Sequence, residues 1–148
     1  MTADWHLPDP DLQPEFYADT ATKRLLAWII DTVIVAVFCI LVLPFTAFTG
    51  LFFFPFLFAL VGFCYRIVTI ARSSATWGMR LLAIEFRNND GSLFDLSKSI
   101  MHTTGTALSF SIPILQLGSI ILMLTSARGQ GLTDHAIGSV VLNRRARA

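Results

Sequence analysis

An aspartate, Asp31, stands inside the apolar run ATKRLLAWIIDTVIVAV, residues 21–37, with Arg24 seven positions before it. Seven residues are two helical turns, so the two side chains share one helix face, Asp31 about 10 Å further along the axis. A carboxylate at the centre of a membrane helix costs about 2.5–3.5 kcal/mol on insertion scales, so it needs a partner or a task. A second apolar run carries Arg66, six residues before Arg72. If the two runs are antiparallel helices, Asp31 and Arg66 reach nearly the same depth, and that match predicts an Asp31–Arg66 ion pair. Two chemistries then compete. Either the pair sets helix register, or Asp31 is a titratable or cation-binding group facing a cavity. An arginine partner would favour the ionised carboxylate and make it a poor proton carrier.

The other reactive side chains point to little chemistry. His102 and His135 are the only histidines beyond the N-terminal tail. Asp134 and His135 are adjacent, which reads as an element boundary rather than a catalytic pair. Cys39 and Cys64 both fall in apolar runs and read as buried free thiols. No metal-ligand spacing, phosphate loop or nucleophile elbow occurs, so the expectation is no metal, no cofactor and no enzyme.

The elements that must hold these charges follow from composition. Of 148 residues, 54% are hydrophobic and only 14% charged, against about 25% charged in soluble domains. The net charge of +1 gives no argument for a nucleic-acid partner. The charges cluster in residues 4–24, 72–98 and 128–147, with long apolar runs between them. The partner implied is the lipid bilayer. Residues 24–43 make a span of about 30 Å, Pro44 and Gly50 bracket an uncharged turn, and residues 51–71 make a second span, with Pro55 in its first turn where proline is tolerated. Lys23 and Arg24 at one end, with Arg72, Arg80, Arg87 and Lys98 after the second span, place the N-terminus and the 72–98 loop in the cytoplasm by the positive-inside rule. Trp28 and Trp77 fall near those ends, where interfacial aromatics belong.

The third apolar region, residues 99–125, is too long for one untilted span and too short for two. Pro113 sits near its middle, and Arg128, Arg144, Arg145 and Arg147 follow. Keeping those arginines in the cytoplasm favours two short helices meeting near Pro113, a shallow hairpin; a single long tilted helix is the competing reading. Thr103, Thr104, Gly105, Thr106, Ser109 and Ser111 suit close helix packing, with a polar path as the alternative. In LLAIEFR, Leu82, Ile84 and Phe86 alternate with Ala83, Glu85 and Arg87, a strand pattern followed by the turn signal NNDG. AIGSVVLN, residues 136–143, is a second strand-like piece able to pair with the first. The fold class expected is therefore an all-α membrane protein with two full transmembrane helices, a third apolar region broken near Pro113, and a small cytoplasmic β pair. Residues 1–22, with five acids and three prolines, read as a disordered polar tail, and residues 23–148 as the membrane domain.

These stretches resemble the RDD family of bacterial membrane proteins, named for one arginine and two aspartates. RLLAWIID matches its first motif with Arg24 and Asp31. WGMRLLAIEFRNNDGS is similar to its loop segment, although the family commonly has a lysine where Met79 or Arg80 stands. LTDHAIGSVVL is similar to its closing motif, which makes Asp134 the second signature aspartate. The resemblance spans about residues 22–143. It implies residence in the bacterial inner membrane and a link, in some members, to sodium or potassium/proton exchange. The functions in play are a small transporter or transporter subunit for monovalent cations or protons, working as a homo-oligomer or with a membrane partner, and a non-transporting scaffold. In the scaffold, Arg24 and Asp134 form an interfacial salt bridge.

Overall fold

A computed structural model describes residues 7–143. The chain runs α1 (Thr20–Val42), α2 (Phe54–Ser73), α3 (Trp77–Leu81), β1 (Ile84–Asn88), α4 (Leu96–Ser111), α5 (Pro113–Thr125), α6 (Leu132–Ile137) and β2 (Ser139–Asn143). The helix containing α1, Pro14–Thr46, and the helix α2, Phe54–Ser73, are each long and apolar enough to cross a membrane, with mean hydropathies of 2.8 and 1.9. Both leave large apolar side chains such as Val33, Ile40, Phe56 and Leu60 on the outside. That pattern suits lipid as solvent.

α4 and α5 pass the same test only as a pair, and they are bent by 117° at one residue. The break has a local cause. Ile112 precedes Pro113 and sits in extended backbone, φ −119° and ψ 101°, because the proline ring crowds the helical region for the residue before it. Pro113 then opens α5, where its missing N–H is no loss. The two-short-helix reading therefore describes the shape, and the single tilted helix is not formed.

The sheet is small and antiparallel, pairing Ile84 with Asn143, Phe86 with Val141 and Asn88 with Ser139. β2 is shorter than its sequence pattern suggested: Ala136 and Ile137 end α6, and Gly138 at φ 71° turns the chain into the strand. Alternation sends Ile84, Phe86 and Val141 into a core with Ala27, Ile70, Ala75 and Met79. Val140 and Leu142 face the other way, onto Phe16 and Tyr17. Ser74, at φ 57° where α2 ends, docks the sheet: its hydroxyl donates to Phe86 O at 2.6 Å and accepts from Phe94 N at 3.0 Å.

Within residues 7–22, where the sequence reading expects a disordered tail, Phe16 and Tyr17 pack against β2. Asn143 Nδ2 donates to Glu15 O and Ala18 O at 2.9 and 2.7 Å, and Tyr17 Oη to Pro8 O at 2.7 Å. Two aromatics buried on β2 outweigh the polar composition around them. The rest of that tail, residues 1–6, and the arginines Arg144, Arg145 and Arg147 lie outside the described residues.

Candidate functional site

Two buried aspartates organise the junction between the long helices and the sheet. Asp31, on α1, takes three neutral donors from α2, α3 and the turn between them. Tyr65 Oη donates to its Oδ1 at 2.7 Å, Gly78 N to the same oxygen at 2.9 Å, and Thr76 Oγ1 to Oδ2 at 2.6 Å. Thr76 is also the N-cap of α3, accepting from Met79 N. Trp77 packs edge-on to Tyr65 and Phe38, with centroids 5.6 and 5.9 Å away, closing the apolar side of this group. Gly78 is required by the approach of α3 to α1: a Cβ there would collide with Ala27 O and lie 2.8 Å from Asp31 Oδ1.

Asp134, fully buried at the third position of α6, accepts four hydrogen bonds. Arg24 Nη1 reaches Oδ2 at 2.5 Å and Gly131 N the same oxygen at 3.0 Å. Ser139 Oγ donates to Oδ1 at 2.8 Å, and His102 Nε2 lies 2.9 Å from it. An ionised carboxylate only accepts, so the proton sits on Nε2, leaving Nδ1 to accept from Thr106 Oγ1 at 3.4 Å. Burial alone would raise the Asp134 carboxyl, but the Arg24 charge and the His102 hydrogen bond hold it well below the usual carboxylate range. His102 is wedged against Phe86, with centroids 4.4 Å apart, and Arg24 crosses the same ring at 5.9 Å.

Arg66 is not the partner of Asp31. Among the described residues the Asp31–Arg66 ion pair is not formed, and Tyr65, the neighbour of Arg66 on α2, takes its place on the carboxylate. Matching depth along two helices was not enough, because adjacent residues on α2 point about 100° apart. Arg66 Nε is buried with no hydrogen-bond partner. Arg66 lines a cavity of about 500 Å³ together with Arg24, Asp31, His102 and Asp134. All four sequence-selected residues therefore reach one space. Sequence reasoning missed Tyr65, Thr76, Gly78, His102 and Ser139. Thr76 and Gly78 carry a signal in hindsight, a hydroxyl N-cap followed by glycine in ATWGM. The partnership of His102 with Asp134, 32 residues apart, carries none.

The hydroxyl-rich stretch of α4, residues 102–111, divides between both of its readings. Gly105 lets Thr133 of α6 approach so closely that a Cβ would lie 2.6 Å from its methyl, whereas Thr106 and Ser109 line the cavity. Among the described residues no group of three or more histidine, cysteine or acidic side chains is placed to hold a metal ion.

The RDD family model matches residues 18–138, a range that takes in both aspartates, Arg24 and the whole cavity. No curated protein and no solved structure matches the chain.

Proposed function

The chain belongs to the RDD family, and from that premise we propose that it is a multi-pass protein of the bacterial cytoplasmic membrane, both termini cytoplasmic, acting as a non-transporting scaffold or accessory protein. Its Arg/Asp signature is the lock that holds the two long helices to the sheet. One observation carries this reading. Asp134 has about four lone-pair directions, and Arg24, Gly131, His102 and Ser139 take all of them. Those donors come from α1, α4, the turn before α6 and β2. A carboxylate filled in this way has no room for a cation and no tendency to take a proton. The same geometry argues against catalysis at His102, whose ring is held by Asp134 and whose hydroxyl neighbour sits at a long 3.4 Å. A scaffold of this size works through contact, so the reading includes a second copy or another membrane protein as partner.

A second reading is favoured by Asp31, which lines the cavity with three neutral donors and no ion pair. In it the protein is a small transporter, or a subunit of one, for monovalent cations or protons, and Asp31 is the group that binds them. Flux of sodium, potassium and protons into proteoliposomes separates the two. The scaffold reading expects no protein-dependent flux from folded, reconstituted protein. Flux that disappears in Asp31→Asn would overturn it and establish the transporter.

A further inference from the structure

Two arginines and two aspartates line the cavity, and among these four charged side chains Arg66 alone makes no hydrogen bond with a described residue. Arg24 is bound to Asp134 and donates to Gly129 O. Asp31 and Asp134 are buried and supplied with donors from the protein. The Arg66 side chain makes no hydrogen bond or ion pair with any described residue, and its Nε is shut away from solvent. A buried N–H without an acceptor is costly, so Arg66 Nε calls for one.

The walls say what kind. Leu25 and Trp28 of α1, Phe110 of α4, and Ile120 and Leu124 of α5 line the space. These same side chains lie on the outer surface of the molecule, Leu124 at 71% exposure. The 117° bend directs α5 away from the line of α4, and α5 packs mainly on α4 and α6. The cavity therefore opens sideways, onto the apolar flank that faces hydrocarbon, with its polar groups at the inner end. A volume of about 500 Å³ falls within the ~300–1,000 Å³ typical of ligand sites.

We propose that this cavity is a binding site for an anionic phospholipid of the surrounding bilayer, its phosphodiester on the Arg66 guanidinium and the upper part of an acyl chain between α1 and α5. A planar guanidinium matches phosphate oxygens in pairs. A soluble anion would leave the apolar walls unused, and a zwitterionic lipid would bring an ammonium group toward Arg24 and Arg66. The inference is independent of whether ions cross the protein.

Native mass spectrometry of the detergent-solubilised chain tests it, with phosphatidylglycerol, phosphatidylcholine and inorganic phosphate as probes. The wild type is expected to hold one phosphatidylglycerol about tenfold more tightly than phosphatidylcholine, with inorganic phosphate in excess failing to displace it. Arg66→Gln should lose that preference about tenfold, the equivalent of one charge-assisted contact at about 1.4 kcal/mol, whereas Arg72→Gln should keep it. Leu124→Trp, an exposed wall position that fills the mouth without touching the charges, should weaken both lipids, and it serves if Arg66→Gln does not fold. Equal retention of the two lipids, unchanged retention in folded Arg66→Gln or in Leu124→Trp, or displacement by inorganic phosphate would each overturn the proposal.

Discussion

Arg24 and Asp134 are 110 residues apart in the chain and 2.5 Å apart in space. Their side chains are 14% and 0% exposed, so the pair is shielded from solvent, and Asp134 connects it to His102 and Ser139. Removing one member leaves the other as an uncompensated buried charge, which typically costs about 3–5 kcal/mol. Arg24→Ala and Asp134→Ala should each lower unfolding stability in detergent by about that amount, and the double variant should lose less than the sum. A loss below about 1 kcal/mol in both single variants would show that the pair does not hold the fold.

The depressed Asp134 carboxyl gives the pair a defined pH range. Its folded affinity for protons lies below that of the unfolded chain, near 4. The stability it contributes is therefore present above about pH 4 and declines as pH falls below it, since the unfolded chain takes up the proton first. Unfolding midpoints measured from pH 7 to pH 3 should fall more steeply for the wild type than for Asp134→Asn below pH 4. Parallel curves would mean that Asp134 is not ionised in the folded protein.

Gly78 and Gly118 make a matched pair. A Cβ at position 78 collides with Ala27 O and crowds Asp31 Oδ1, whereas one at position 118 meets nothing within 4 Å. Gly78→Ala should destabilise by about 1–3 kcal/mol through overpacking. Gly118→Ala should be neutral or stabilise by up to about 1 kcal/mol, because alanine suits a helix interior better than glycine. Thermal unfolding of the two variants side by side decides this, and equal behaviour would contradict the close α1–α3 approach.

For Asp31, the donors rather than the charges are decisive. Tyr65→Phe removes one hydrogen bond to the carboxylate and should cost about 1.5–3 kcal/mol. Exchanging the charges, Asp31→Arg with Arg66→Asp, should not restore the stability or expression that Asp31→Arg loses. The arginine would face Tyr65, Thr76 and Gly78, which are donors. Rescue by the exchange would reinstate a direct pairing of the two residues.

Phe16 tests the ordered N-terminal segment. It is buried against Val140 and Leu142, and Phe16→Ala should cost about 3 kcal/mol or more. Limited proteolysis between residues 7 and 19 should accelerate in the variant. Equal cleavage of wild type and variant would mean that the segment does not rest on the sheet.

What could be read from the sequence alone depended on interactions that repeat locally. Hydrophobic runs long enough for a bilayer identify α1 and α2 without reference to the rest of the chain, and Pro113 breaks the third apolar run wherever that run lies. The alternation of Ile84, Glu85, Phe86 and Arg87 is likewise visible as a strand before its partner is known, and three short motifs identify the family. Partner choice inside the bundle was not legible. Asp31 could have met Arg66, but about 100° of rotation on α2 decides between that guanidinium and the Tyr65 hydroxyl, and depth counting does not carry rotation. His102 finds Asp134 only because α4, α6 and β2 converge there, and Phe16 leaves its polar surroundings for a sheet face created by Val140 and Leu142 at the far end of the chain. The cavity between α1 and α5 follows from the direction α5 takes after Pro113, since a bend determines a volume only once the helices on either side of it have packed.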